Sequence, residues 1–302
     1  MIPTAPHPDA PNWFKRALAV PFEDGHVEVG GARIHFVAWG MRGRRGLVFV
    51  HGGGANAHWW THVAARFADD YRVVAIDLSG HGDSEHRSTY QLEQWTEEVI
   101  AVAEAGGIDG LPVVVGHSLG GFVTIATAAR NPERFEGVII CDSPVATPSA
   151  ESQSHRRDEF GRERVYPSVD VAVSRFRAVP TQRNNLDYVI DHVARRSMNE
   201  VDGGYAWKFD RRLFESFSGS MRGIAKPYLP QIRCRFALLR SEHGLISPEV
   251  RTEMYEALGR VAPVVELPQT GHHPMLDQPL VLLTALRALL ADWDHSEPIR
   301  TG

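Results

Sequence analysis

The segment VVVGHSLGG, Val113 to Gly121, constrains the fold more than any other part of this chain. Three valines run directly into Gly116-His117-Ser118-Leu119-Gly120, and an apolar stretch with helical spacing follows. Small residues around a serine permit a sharp strand-to-helix turn in which the central residue is held in a strained backbone conformation. Such a turn lifts the hydroxyl clear of a sheet and aims a helix N-terminus at charge developing beside it. The G-x-S-x-G pattern alone arises by chance fairly often, so the strand before it and the helix after it carry the signal. A glycine-rich turn needed only for packing is the competing reading.

That context recurs along the chain. HVEVGGARIHFVAWG (26–40) reads as two strands around Gly30–Gly31. The runs at 46–50, 71–77, 111–116, 136–142, 235–240 and 263–268 are short, rich in β-branched residues and almost continuously apolar. Strands of that kind are buried on both faces, as in a parallel sheet covered by helices. Amphipathic helices are predicted at 91–107, 119–132, 247–259 and 277–293, the third opened by Ser247 as N-cap and Pro248 in the first turn. Strand–helix alternation predicts a doubly wound α/β fold with a mostly parallel, eight-stranded sheet. From about Pro144 to Ile232 no buried strand is expected; charged, helix-period segments at 168–179, 185–199 and 209–219 replace it. The predicted division is a leader (1–21), a core (22–143 and 226–295), a helical cap (144–225) and a tail (296–302).

A net charge of −5 with mixed signs gives no reason to expect nucleic acid or an anionic membrane as partner. No stretch approaches the roughly 20 apolar residues of a membrane span. The N-terminus is Pro-rich and polar, without the apolar region of a signal peptide, so a loosely ordered leader and a cytoplasmic protein are expected. The two cysteines, Cys141 and Cys234, are expected to be buried free thiols.

The stretch VFVHGGGANAHWW (48–60) places His51-Gly52-Gly53-Gly54 directly after a strand. Backbone without Cβ atoms can approach a substrate closely and offer N–H groups to an oxyanion; Gly53 and Leu119 are the expected donors. A phosphate-cradling loop is disfavoured, because neither a GKS/GKT ending nor G-x-G-x-x-G follows. A serine hydroxyl needs a base to take its proton. His272, after the last strand in ELPQTGHHPMLDQP, is assigned that role, with His273 as the tandem alternative. His58 and His62 have i, i+4 spacing, but no Glu completes H-E-x-x-H, and they are read as helix-surface histidines.

With HGGG, DLSGHGDS (77–84), GHSLGG and GHH in this order, the chain resembles the α/β-hydrolase superfamily from about residue 22 to 293, apart from the inserted cap. The resemblance implies a Ser–His–acid triad, two backbone oxyanion donors and no metal or organic cofactor. DLSGHGDS is typically a structural loop, so Asp77, His81 and Asp83 are not expected to be catalytic. The family's usual acid lies in a pattern resembling G-x-x-D; laid over Ser241-Glu242-His243-Gly244, its Asp position falls on Gly244. Glu242 is in the same loop, two positions early. Asp142 follows the strand after the nucleophile helix, where haloalkane dehalogenases and zearalenone-type lactone hydrolases place their acid. Asp142 is therefore the assigned acid, Glu242 the alternative, and Asp277 a more remote one.

A serine nucleophile sets aside the dehalogenase and epoxide-hydrolase chemistries of the family, which use Asp there. The expected function is hydrolysis of a carboxylic ester or lactone of a medium-sized hydrophobic or aromatic small molecule, zearalenone-type lactones included, through an acyl-enzyme. Carbon–carbon bond hydrolysis, cofactor-free oxygenation, perhydrolysis and a non-catalytic ligand receptor are alternatives on the same fold. Gly54, His117 and Trp207 are the candidate substrate-binding residues, Trp207 as a cap lining residue after two glycines. The oligomeric state stays open, a homodimer included.

Overall fold

The computed structural model describes residues 5–145, 164–213 and 221–296. Its strands are β1 (Glu23–Val29), β2 (Ala32–Trp39), β3 (Gly46–Val50), β4 (Arg72–Ile76), β5 (Val113–His117), β6 (Gly137–Cys141), β7 (Met198–Val201), β8 (Gly204–Trp207), β9 (Arg235–His243) and β10 (Val264–Gly271). Eight of them form one sheet in the order β1-β2-β4-β3-β5-β6-β9-β10. β2 is antiparallel to both β1 and β4, and the remaining pairings are parallel. This is the α/β-hydrolase fold with its mostly parallel sheet.

The continuous apolar runs are explained by the two cores they feed. In β3, Leu47 and Phe49 enter one core while Val48 and Val50 enter the other; β4, β5, β6 and β9 alternate in the same way. The first core is closed by α1 (Asn12–Leu18) and by the C-terminal helix Pro279–His295. The second is closed by α2 (Leu92–Ala105), α3 (Leu119–Arg130) and the helix Pro248–Ala257. The last of these starts as its sequence predicts, with the Ser247 side chain accepting from the Val250 amide at 3.3 Å. Among the described residues, no helix is long and apolar enough to cross a membrane. Both cysteines are free, Cys141 buried and Cys234 partly so.

Three expectations change. Part of the leader is ordered, because α1 buries Phe14 and Ala17 completely in the first core. The stretch expected to be a helical cap contains α4 (Val169–Arg175) and α5 (Asp187–Arg196), yet it also forms the antiparallel hairpin β7–β8. Residues 198–207 lack the long apolar run of a sheet strand, which is why the hairpin is not legible beforehand. The helix expected at 209–219 falls mostly on 214–220, outside the described residues.

The third change concerns His58 and His62, which are buried and not on a helix surface. His62 and His192 of α5 flank Phe14, whose ring lies 5.3 Å and 6.0 Å from theirs, while the His58 ring lies 5.8 Å from that of Phe22. Burial pushes His58 down to about 3 and His62 to about 4, and holds His192 well below its usual value. Among the described residues, neither ring nitrogen of His192 has a hydrogen-bond partner. The native state thus refuses protons that the unfolded chain accepts below 6.5, so this contribution to stability is lost as pH falls from 6.5 towards 4. Each such histidine contributes about 1.4 kcal/mol per pH unit across its window. His192→Phe should therefore lose less stability than the wild type between about pH 7.5 and about pH 5, measured by urea denaturation. An equal loss in both proteins would contradict the buried-histidine explanation.

Candidate active site

β5 ends at His117, and Ser118 takes φ 53° and ψ −116° before α3 begins at Leu119. A positive φ in a non-glycine residue is strained and persists only where its surroundings enforce it. The enforcement comes from close packing of strand, turn and helix. A Cβ at position 116 would strike Thr124 Oγ1 and the Gly120 carbonyl, and one at 120 would strike the carbonyls of Val50 and His51. The Ser118 amide donates to the Cys141 carbonyl at 3.1 Å, tying the turn to the end of β6. Ser118 itself stays half-buried at the surface of this junction.

The loop after β10 brings His272 over the serine. Its Nε2 lies 3.0 Å from Ser118 Oγ, and its Nδ1 lies 2.7 Å from Asp142 Oδ2. A carboxylate at Nδ1 fixes that nitrogen as the donor, leaving the Nε2 lone pair for the serine O–H. Asp142 directly follows β6, also at positive φ (43°), and is fully buried. Its carboxylate accepts two further bonds, from the Leu245 amide at 2.8 Å and the Ser241 amide at 3.3 Å. The loop after β9 therefore wraps around the acid.

That wrapping explains Gly244. A Cβ there would fall inside contact distance of Asp142 Oδ1, Oδ2 and Cγ. The absence of a side chain at Gly244 is what leaves room for the carboxylate arriving from β6. Glu242 lies elsewhere: its carboxylate accepts from the Gln269 amide at 2.7 Å. Asp277 is engaged with the Gly271 amide at 2.6 Å, and burial pushes its carboxyl up to about 6. Of the three carboxylates considered from sequence, Asp142 is the one hydrogen-bonded to His272.

The donors expected at the site lie where the loop and helix begin. The His51 ring ties the glycine loop to the DLSGHGDS loop, donating from Nδ1 to the Gly52 carbonyl (2.7 Å) and accepting from the Leu78 amide at Nε2 (3.1 Å). Gly54 has φ 72°. Among the described residues, the Gly53 and Leu119 amides have no hydrogen-bond partner, as an oxyanion site requires. Asp77 belongs to the scaffold. It accepts from the Ala57 amide (2.6 Å), the Asp83 amide (2.8 Å) and His35 Nδ1 (2.7 Å). Asp83 in turn pairs with Lys208 at 2.6 Å, and His81 is buried.

His117 does not face open solvent. It is 1 % exposed, its ring lies 4.8 Å from that of His272, and its Nε2–H donates to the His272 carbonyl at 2.7 Å. It therefore positions the backbone of His272, a role that its place in G-x-S-x-G gives no hint of. His273 is likewise buried and donates from Nε2 to the Val179 carbonyl at 3.2 Å. Burial holds both imidazoles well below the usual histidine range. Sequence reasoning missed Gln182, whose Oε1 accepts from the His273 amide (2.7 Å) while its Nε2 donates to the His273 carbonyl (3.2 Å). Nothing local in TQRNN announces that clamp. Trp207 is partly buried in an edge-on series with Phe176 (5.6 Å) and Tyr166 (5.7 Å); Phe176 continues to Trp59, and Trp59 to His273.

Misplacing reacting groups by about 1 Å costs on the order of 10²-fold. Gly244→Ala should push the Asp142 carboxylate away from His272 and slow covalent labelling of Ser118 by an alkyl phosphonate by about 10²-fold. Labelling at the wild-type rate would show that the loop does not hold the acid in place.

Comparison with known proteins agrees with this construction. The model of the alpha/beta hydrolase family matches residues 47–285. An esterase of Mycobacterium tuberculosis is 28% identical over 275 residues, covering 87% of this chain and 88% of the esterase. A solved alpha/beta hydrolase from Novosphingobium aromaticivorans is 27% identical with a TM-score of 0.73, over 89% of this chain and 98% of that one. E-2-(acetamidomethylene)succinate hydrolase, 19% identical, shares the fold at a TM-score of 0.79 over 90% of this chain and 100% of its own. The chain belongs to the alpha/beta-hydrolase family.

Proposed function

We propose that the protein hydrolyses a carboxylic ester of a medium-sized apolar or aromatic small molecule, lactones included, through an acyl-enzyme on Ser118. One observation carries the reading: a single imidazole, His272, lies 3.0 Å from the serine oxygen and 2.7 Å from a buried carboxylate. In this reading His272 Nε2 takes the Ser118 proton as Oγ attacks the carbonyl carbon. The Gly53 and Leu119 amides receive the negative oxygen. His272 then returns the proton to the leaving alcohol, and a water deprotonated by the same nitrogen releases the acid. Asp142 holds the ring in the reactive tautomer and offsets the charge of the imidazolium.

The esterase relative supports the bond type. The aromatic series from His273 through Trp59 and Phe176 to Trp207 supports an apolar substrate, since such faces bury hydrophobic surface at little entropic cost. The stretch 144–225 is the proposed cap over the serine, and two free cysteines fit a reducing, cytoplasmic setting.

The test is a panel of p-nitrophenyl esters of rising chain length, with aromatic and macrocyclic lactones beside them, run on wild type and Ser118→Ala. The expected outcome is turnover favouring intermediate chain lengths, lost by about 10⁴-fold or more in Ser118→Ala. Activity that survives the substitution would point to His272 acting on a substrate directly, as in an oxygenase, and would defeat the acyl-enzyme.

A further inference from the structure

We propose that His117, His272 and His273 together form a site for a borderline-soft divalent cation, Zn²⁺ being the representative ion, and that its occupancy disables His272. One ring nitrogen of each residue lies within 4.8 Å of a ring nitrogen of each of the other two. The ring centroids are 4.6 to 5.2 Å apart, the two extremes being His272–His273 and His117–His273.

Proximity alone would be weak grounds. The stronger argument follows the protons. Each imidazole has one nitrogen committed as a donor: His117 Nε2 to the His272 carbonyl (2.7 Å), His272 Nδ1 to Asp142 (2.7 Å), and His273 Nε2 to the Val179 carbonyl (3.2 Å). The lone pairs left for a cation are therefore on His117 Nδ1, His273 Nδ1 and His272 Nε2, the last accepting from the Ser118 hydroxyl until an ion displaces that proton. His273 Nδ1 is buried with no partner among the described residues, a state shared with nitrogens of His58, His62, His81 and His192, but His273 alone of these belongs to a cluster of three histidines. Metal-bound histidines almost always direct the other ring N–H to a carbonyl or carboxylate, and all three rings do so here. Three neutral nitrogens plus one open position suit Zn²⁺, and Ser118 Oγ, 3.0 Å from His272 Nε2, adjoins that position.

A tetrahedral zinc with bonds of about 2.0–2.1 Å spaces its ligands about 3.3 Å apart, so the rings must close by up to about 1.5 Å. That closure predicts reversible, regulatory binding and not a permanent structural ion. The second histidine–carboxylate group, His35 with Asp77 and Asp83, differs, since both nitrogens of His35 already face carboxylates, Asp77 at 2.7 Å and Asp24 at 3.2 Å, and Asp83 holds Lys208.

The binding claim stands apart from the proposed reaction, whereas the inhibitory claim rests on it. Chelator-stripped protein is titrated with ZnCl₂ by calorimetry, using wild type, Ser118→Ala, His273→Phe and His117→Phe. One ion should bind per wild-type or Ser118→Ala chain, and each histidine variant should weaken binding by about tenfold or more. Zn²⁺ should also suppress ester turnover in proportion to occupancy, with recovery on adding a chelator. Co²⁺ gives a second reading on the wild type, free of any folding defect in a variant: strong visible absorption, as expected of tetrahedral nitrogen ligation. Weak absorption typical of six-coordinate Co²⁺, or Zn²⁺ affinity unaltered in folded histidine variants, would overturn the site. Zinc binding with no ester turnover would refute the esterase reading while supporting the metal site.

Discussion

The Asp142 carboxylate is removed from water entirely and is held there by donors from two different loops: the Ser241 and Leu245 amides and the His272 imidazole. A buried anion without such partners would cost several kcal/mol, so the loops after β9 and β10 must close on it correctly for the fold to be stable. That requirement links the acid's position to Gly244, which must lack a side chain, and to the positive φ that Asp142 adopts on leaving β6. The same carboxylate selects the His272 tautomer that faces Ser118. Positioning of the site and stability of the sheet's C-terminal edge are thus one problem with one solution.

Residues 182–210 take part in that solution. Gln182 grips both sides of the His273 peptide, the Leu276 carbonyl accepts from the Leu186 amide at 2.9 Å, and Asn56 and Trp59 both donate to Ser197 Oγ. On the far side Lys208 pairs with Asp83, and the Asp210 amide donates to the Gly80 carbonyl at 2.8 Å. Residues 182–210 are therefore fastened to the segment after the glycine loop, the DLSGHGDS loop and the histidine loop together.

The sheet was legible because its strands are buried on both faces, which leaves continuous apolar runs between helices whose caps obey local rules. The serine turn was legible because its pattern is local, although one of its glycines, Gly120, is required by the distant carbonyls of Val50 and His51. Asp142 could be proposed from its position after β6 together with the vacancy at Gly244, but only the three-dimensional closure of loop 241–245 supplies the reason. Other features had no local signal. The burial of His58 and His62 depends on α1 and on His192, more than a hundred residues away in sequence. His117 is committed to a carbonyl 155 positions on, a contact that no periodicity encodes. The β7–β8 hairpin is short and its second strand is half-buried throughout, so no alternation marks it.

The most direct test compares kcat for a p-nitrophenyl ester in Asp142→Asn and Glu242→Gln. The account predicts a loss of about 10⁴-fold in Asp142→Asn, as expected when the orienting carboxylate is removed and the tautomer is wrong, with Glu242→Gln near wild type. The reverse pattern, an active Asp142→Asn beside a dead Glu242→Gln, would contradict it.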